Sequence, residues 1–479
     1  MVIETLQRLA ALDYPDFEVL LIDNNTKDEA VWRPLEAGCA ALGERFRFFH
    51  LADWPGYKAG ALNFGLTETA PDAEIIAVID SDYLVDPDWL SAMVPNFDHP
   101  DIGLVQSPQD YHDWENDTFK TMCQWEYAGF FNIGMVQRNE RNAIIQHGTM
   151  TMIRKAALAQ AGGWAEWCIT EDAELGLKLF EQGWLATYSP ESFGRGLVPD
   201  SFSAYKTQRH RWAYGAVQIV KKHGRAMLPK SKILTRAQRY HFIAGWMPWF
   251  ADAAHLLFAA ASVFWSLLII SNWLAYLFNL SMFYVGDWLQ THAPDTRHNL
   301  EIDFGIPVDP KNNWHFTVKS PFKLGFPPTA FMIPTIAAFL LKVIGGFWLY
   351  QLKIKCTLGQ KIGAAIAGMS LTYTVGSAVW QGLFTEGRPF VRTPKCEDQP
   401  AFMQGILMAK HELRWLAALW ISAALIIASQ SWRNHEAVLW AVLLVVQSLP
   451  FIAAGITSML NAMPHLFRPR VTAVAAAAE

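Results

Sequence analysis

Past residue 240 the chain carries apolar runs that a water-soluble domain could not absorb. Ala253 to Ile270 holds one titratable residue, His255, and Pro327 to Tyr350 holds one charge, Lys342, while Trp415 to Trp432 and Ala437 to Leu460 hold none. A helix needs ~20 residues to cross a hydrocarbon core. Four spans are therefore expected, near residues 245–272, 327–350, 413–432 and 437–460. A fifth uncharged run, Ile362 to Thr385, is richer in Gly, Ser, Thr and Tyr. It either crosses or lies in the interface.

Basic residues choose between those alternatives, because they concentrate on the cytoplasmic side. Lys221, Lys222, Arg225, Lys230, Lys232, Arg236 and Arg239 precede the first span, and Lys353, Lys355 and Lys361 follow the second. The segment from Arg388 to Arg414 precedes the third, and Arg468 and Arg470 follow the fourth. All four clusters share one side only if the fifth run does not cross. The expectation is an interfacial helix over 355–385, a cytoplasmic loop over 386–398, and residues near 280–325 outside.

With 21 Trp and 30 Phe among 479 residues, the composition agrees with a multi-pass membrane protein. The net charge of -5 is dispersed and gives no basic stripe for nucleic acid. Cys39, Cys123, Cys168, Cys356 and Cys396 lie far apart, which fits neither a zinc site nor a disulfide framework.

Up to about residue 230 the texture differs. Short apolar runs, "FEVLLID", "RFRFFHL", "EIIAVID", "IGLVQSP" and "AIIQHGTMTMIR", alternate with helical segments. That alternation predicts an α/β domain over 1–230 with a mainly parallel sheet, followed by a membrane region over 231–479. Ligands of such sheets gather at the carboxyl ends of strands, where Asp23, Asp80 and Asp82 fall. The chain opens on a helix (Val2 to Leu12) and then a strand (Glu18 to Ile22), with no signal peptide. A parallel α/β domain normally opens on a strand, so this one is expected to lack its first.

Four short stretches could carry chemistry, and each has a plainer reading. "VIDSDY" aims Asp80 and Asp82 at one point, as a hard divalent cation requires, or simply ends a strand in an Asp turn. "TEDAELGLKLF" is an ordinary acidic helix start, or it places Asp172 as a general base. "GYKAGALNFGL" offers Lys58 on a glycine-rich approach to a diphosphate. "QRHRW" is a basic interfacial belt, or it supplies Arg211 as a charge clamp and Trp212 as a stacking face for a sugar.

Their order is more specific than any one of them. Asp23, Asp80-Ser81-Asp82, Thr170-Glu171-Asp172 and Gln208-x-x-Arg211-Trp212, followed by membrane spans, resembles the processive family 2 glycosyltransferases. These are the cellulose synthase-like group, marked by D, DxD, TED and QxxRW. "PFVRTPK" resembles the FxVTxK gating loop of bacterial cellulose synthase through Phe390, Thr393 and Lys395, with Arg392 where valine is expected. "EYAGFFNIGMVQRNERNAIIQHGTM" and "KTQRHRWAYGAVQIVKKH" are most similar to the synthase module of bacterial cyclic β-(1→3),(1→6)-glucan synthases.

The resemblance implies a GT-A type domain, N-terminally incomplete, in the bacterial inner membrane with its catalytic part cytoplasmic. It also implies a UDP-sugar donor, UDP-glucose foremost, a growing glucan acceptor, and Mg2+ or Mn2+. Asp23 and Asp80 would face the nucleoside, Asp82 with Asp80 the cation, and Lys58 and Arg211 the diphosphate. Asp172 would be the base for an inverting transfer, with Trp212, Gln208, Glu171 and His147 on the acceptor side. Members of the family begin with a "PAYNE"-like segment absent here, so an upstream or companion subunit is also expected. A non-processive lipid glycosyltransferase and a catalytically impaired membrane subunit are the alternatives.

Overall fold

The computed structural model describes residues 1–292, 325–386, 401–430 and 432–466. Helix α1 (Val2–Ala10) leads to β1 (Val19–Asn24), α2 (Glu29–Ala41) and β2 (Phe46–Leu51). The Asp28 carboxylate caps α2 by accepting from the Ala30 N–H, satisfying an amide that the helix leaves open. β1 and β2 pair in parallel as a two-stranded sheet that sets Asp23 opposite His50. Leu6, Cys39 and Phe46 close a small core beside this sheet.

After α3 (Tyr57–Glu68) come β3 (Ile75–Val78), β4 (Leu84–Val85), α4 (Trp89–Met93), β5 (Ile102–Gln106) and β6 (Asp110–Tyr111). Then follow α5 (Thr118–Gly129), a π-helical turn (Phe130–Met135), α6 (Val136–Asn139), β7 (Thr151–Arg154), α7 (Lys155–Ala161), α8 (Glu171–Glu181), β8 (Leu185–Tyr188) and β9 (Gly194–Gly196). Four strands form a sheet in the order β3-β7-β5-β8, and β4-β9-β6 form another.

The expected mainly parallel sheet is instead mixed. β7 runs antiparallel to both β3 and β5, while β5 and β8 are parallel. Strand-helix alternation does not encode direction, and the helical excursion from α5 through α6 brings the chain back to insert β7 from the opposite end. "AIIQHGTMTMIR" is a strand only over Thr151–Arg154, which frees residues 143–150 to run toward the site. Beneath the sheets Trp89, Met93, Val105, Met150 and Met152 are buried together with Tyr83 and Phe193. Side chains of this size stabilise by ~1.5–3 kcal/mol each on burial.

The remaining helices are α9 (Phe202–His223), α10 (Arg236–His292), α11 (Thr329–Lys353), α12 (Leu358–Ser370), α13 (Thr372–Phe384), α14 (Ala401–Met408), α15 (Lys410–Gln430) and α16 (His435–Ala462). By length and composition five segments could cross a membrane: Arg236–Leu274, Thr329–Lys353, Leu358–Phe384, Lys410–Gln430 and His435–Ala462. The third is broken at Leu371 into two helices of 13 residues each. Its first half packs on α5 and its second on α9. Glycines allow the approach: a Cβ on Gly363 would lie 2.9 Å from Met122, and one on Gly382 2.8 Å from Val217.

Two compact units result. One comprises Met1–Ala254, Gly345–Lys410 and Pro450–Glu479, so the α12–α13 pair belongs with the α/β part. The other comprises His255–Ile344 and His411–Leu449. Within it Trp440 Nε1 donates to Ser266 Oγ (2.9 Å) and Gln447 Nε2 to Ser262 Oγ (3.1 Å). Polar groups at such positions need partners inside the protein if hydrocarbon surrounds the helices. The loop with Phe390, Thr393 and Lys395 lies outside the described residues, as do residues 293–324.

Candidate active site

Four segments meet around one lysine. β3 ends at Val78, and the Asp80 N–H just past it donates to Thr149 Oγ1 (2.9 Å), locking the strand end to the segment ahead of β7. Lys58, in the first turn of α3, donates from Nζ to the Asp80 carboxylate and to the Gly148 carbonyl (2.9 Å). A Cβ on Gly148 would stand 3.0 Å from Lys58 Nζ and 3.1 Å from Asp172 Oδ2. Only glycine therefore lets the ammonium and the first turn of α8 approach that backbone from two sides.

Charge and burial shape this cluster. The Glu171 carboxyl is pushed up to about 7, first by burial and then by the Asp172 charge, with Lys58 opposing. Burial raises Asp172 as well, again against Lys58. The two carboxyls thus share their protons as a pair. Burial works against the charge on Lys58 itself, but Asp80, Glu171 and Asp172 outweigh it and raise the ammonium's pKa. Burial also raises Asp82, whose carboxylate accepts from the Leu197 N–H (3.3 Å).

Asp80 and Asp82 offer two carboxylates to a cation. Among the described residues no group of three or more His, Cys, Asp or Glu gathers for a metal. Such a donor set fits a hard cation that completes its shell with diphosphate oxygens and water, as Mg2+ and Mn2+ do.

Asp23 occupies the other sheet. Its Oδ2 pairs with His50 Nδ1 (2.7 Å) and its Oδ1 accepts from the Thr26 hydroxyl (2.6 Å), so both oxygens are held. The neighbouring Asn24 Nδ2 donates to the Tyr57 carbonyl (2.8 Å), tying this strand end to the start of the lysine helix.

Trp212 stands on α9 and stacks on Tyr127 of α5, with ring centres 5.7 Å apart at 29°. The Arg209 guanidinium lies 4.7 Å from the Trp212 ring and 5.4 Å from Tyr127, and pairs with Glu126. Arg209, which the motif leaves unassigned, is therefore the residue that fixes the ring. Its spacing of three from Trp212 on a helix is the signal for that role. Glu126 and Tyr127 carry no such signal, because they meet α9 only in the folded chain. Gln208 and Arg211 stand half-buried in the same turns. His147 lies against Phe130 (5.2 Å) and Phe131 (5.1 Å), and burial lowers its pKa to about 4, leaving a neutral ring.

Three contacts seat α9 against α8 and the residues just before it. Gly215 faces Thr170 so closely that a Cβ would collide with its hydroxyl. The Ile169 N–H donates to Gln218 Oε1 (3.1 Å). His223 bridges Glu174 and Glu181, both at 3.0 Å. The helix carrying Trp212 is thereby fixed to the turn carrying Asp172.

A mixed α/β core thus gathers carboxylates and a lysine at its strand and helix ends. Residues 75–289 match the family model described as glycosyl transferase family group 2. This part of the chain is thus similar to family 2 glycosyltransferases, and its fold is GT-A-like. Over 219 residues the chain is 27% identical to a probable glucomannan 4-beta-mannosyltransferase 9 of Oryza sativa subsp. japonica, covering 44% of this chain and 41% of the relative. A probable glucomannan 4-beta-mannosyltransferase 1 of Arabidopsis thaliana is 31% identical over 170 residues, 35% of this chain and 31% of the relative. The matches thus span less than half of these relatives. Among solved structures, the mannosyltransferase PcManGT from Pyrobaculum calidifontis, in complex with GDP-Man and Mn2+, is 16% identical with a TM-score of 0.46. That likeness covers 80% of this chain and 83% of that one.

Proposed function

We propose that the chain is a membrane-bound, inverting glycosyltransferase that moves a hexose from a nucleotide-diphosphate sugar onto a growing polysaccharide. The observation that carries the reading is the Lys58 ammonium, which donates to Asp80 and to the Gly148 carbonyl against which Asp172 also stands. One end of this arrangement suits a departing diphosphate and the other an attacking hydroxyl.

Asp172 takes the proton of the acceptor hydroxyl as its oxygen bonds to the anomeric carbon and the bond to the diphosphate breaks. The products are a β-glycoside, the nucleoside diphosphate and a proton. Burial raises the Asp172 pKa above the ordinary carboxylate value, which makes it a better acceptor for that proton. Lys58 and Arg211 face the charge growing on the leaving diphosphate. A divalent cation held by Asp82 and Asp80 would supply further screening of that charge. Asp23, held by His50 and Thr26, serves the nucleoside side, and Trp212 gives the acceptor sugar a flat face. Gln208, Glu171 and His147 complete the acceptor side.

The finer reading is UDP-glucose as donor, a β-1,3 or β-1,3/1,6 glucan as product and a cytoplasmic site at a bacterial inner membrane. It rests on the sequence resemblance to cyclic glucan synthases. The curated relatives carry mannosyltransferase names, so the hexose is the point to test. Membranes containing the chain are given labelled UDP-glucose or GDP-mannose, with and without EDTA. Polymeric product from UDP-glucose, lost with EDTA, is expected; polymer from GDP-mannose alone overturns the donor assignment, and no transfer from either overturns the activity.

A further inference from the structure

Gln106 is the last residue of β5, the strand that runs between β7 and β8, and it is buried. Its backbone is in register with Thr151 on one side and Tyr188 on the other. The side chain turns to the stretch that precedes β7. Its Oε1 accepts from the His147 N–H (3.0 Å), and its Nε2 donates among the Ser107, Thr149 and Met150 carbonyls (2.9, 3.0 and 3.1 Å). Ser107 adds its own N–H and hydroxyl, both donating to the Met150 carbonyl (3.1 and 3.3 Å). One amide thus fastens His147, Thr149 and Met150 to the end of β5.

The stretch would not keep this shape unaided. Met150 has a φ of 53°, in the left-handed region that a residue with a side chain seldom occupies. Such a conformation persists where the surrounding bonds over-determine it. What those bonds hold is what the site uses. The two residues between His147 and Met150 are Gly148, whose carbonyl accepts from Lys58 Nζ (2.9 Å), and Thr149, whose hydroxyl accepts from the Asp80 N–H (2.9 Å). A Cβ on Gly148 would also stand 3.1 Å from Asp172 Oδ2, so a shift of this backbone is felt on both sides.

We propose that Gln106 is a positioning residue of the transferase site, which sets Lys58 against Asp80 and Asp172 by fixing the turn from His147 to Met150. The inference rests on the transferase function proposed above. A glutamine suits the task because it offers a donor and an acceptor from one planar group and brings no charge to a place faced by three carbonyl oxygens.

The full chain, purified in a neutral detergent, is compared with Gln106→Leu and with Leu104→Ala, a cavity made two residues back on the same buried strand. Amide hydrogen exchange over residues 147–150 needs no turnover. It should quicken about tenfold or more in Gln106→Leu and stay near the wild-type rate in Leu104→Ala. Transfer is then followed with labelled UDP-glucose and GDP-mannose. In Gln106→Leu kcat should fall about 10–100-fold, as a misplaced charged group would cause, with the donor KM within about threefold. Asp172 is faced by Lys58, Asp80 and Glu171, and Lys58 alone among them holds its pKa down. The acidic limb of the pH-rate profile should therefore move to higher pH in Gln106→Leu. In Leu104→Ala the limb should stay in place while the unfolding midpoint falls.

Exchange unchanged in Gln106→Leu overturns the proposal. Faster exchange with wild-type kcat and an unmoved limb leaves Gln106 a packing residue and overturns its positioning role. If the wild type transfers neither sugar, the transferase function falls, while the exchange comparison still decides whether Gln106 holds the turn. Should Gln106→Leu fail to fold, Gln106→Met takes its place under the same outcomes.

Discussion

The Arg209 guanidinium lies 4.7 Å from the centre of the Trp212 ring while pairing with Glu126 on the neighbouring helix. One cation thus fixes the acceptor-side aromatic and ties α9 to α5. Glu126→Gln leaves that buried guanidinium without its counter-charge. A loss of roughly 3–5 kcal/mol of stability is expected, read as a lowered unfolding midpoint of the purified chain. A midpoint equal to the wild type's would show that the pair is not buried in solution.

Asp172→Asn keeps the shape of the first turn of α8 but removes the proton acceptor. Transfer is expected to fall by about 10²–10⁴-fold, while binding of the nucleoside diphosphate, measured by calorimetry, stays near the wild-type value. Retained turnover would remove Asp172 from the base role.

The raised Glu171–Asp172 pair gives transfer an acidic limb. Activity needs the Asp172 carboxylate, whose pKa burial raises above the ordinary value, so the rate should drop on the acidic side as that carboxylate takes up a proton. Lys58 opposes that shift. In Lys58→Met the limb should move to higher pH, whatever the residual rate. A pH-rate profile of the two proteins decides it, and a limb displaced downward would contradict the electrostatic reading.

His223 makes stability depend on pH in the opposite range. Burial works against its charge, but the hydrogen bonds to Glu174 and Glu181 outweigh this and hold its pKa at about 9. The folded value is raised above the unfolded ~6.5. The contribution is therefore fully present below about 6.5 and is lost as pH rises through about 9. Unfolding midpoints measured from pH 6 to 10 should decline more in the wild type than in His223→Gln. Parallel curves would mean that the bridge contributes nothing.

Gly215→Ala tests the seating of α9 on Thr170. The added methyl collides with the Thr170 side chain and forces the helices apart. A cost of about 1–3 kcal/mol is expected from such overpacking, together with a loss of transfer, because the turn bearing Asp172 moves with Thr170. Wild-type rates with a lowered midpoint would separate packing from catalysis.

Much of this protein was decided along the chain. Runs such as Ala437 to Leu460 are long and apolar enough to cross a membrane, because apolar length is a local property. The strand ends that place Asp80 and Asp82, and the acidic start of α8 at Glu171 and Asp172, are likewise set by near neighbours. Strand direction, the break at Leu371 and the pairing of Glu126 with Arg209 were decided only by tertiary structure. Each depends on which surface a distant segment presents: β7 enters between β3 and β5, α12 spends its apolar face on α5, and Arg209 meets an acid 83 positions away. Burial turns those meetings into chemistry. It raises the pKa of Glu171 and Asp172, while the acids around Lys58 outweigh burial and strengthen its charge, which no spacing of residues in the sequence could announce.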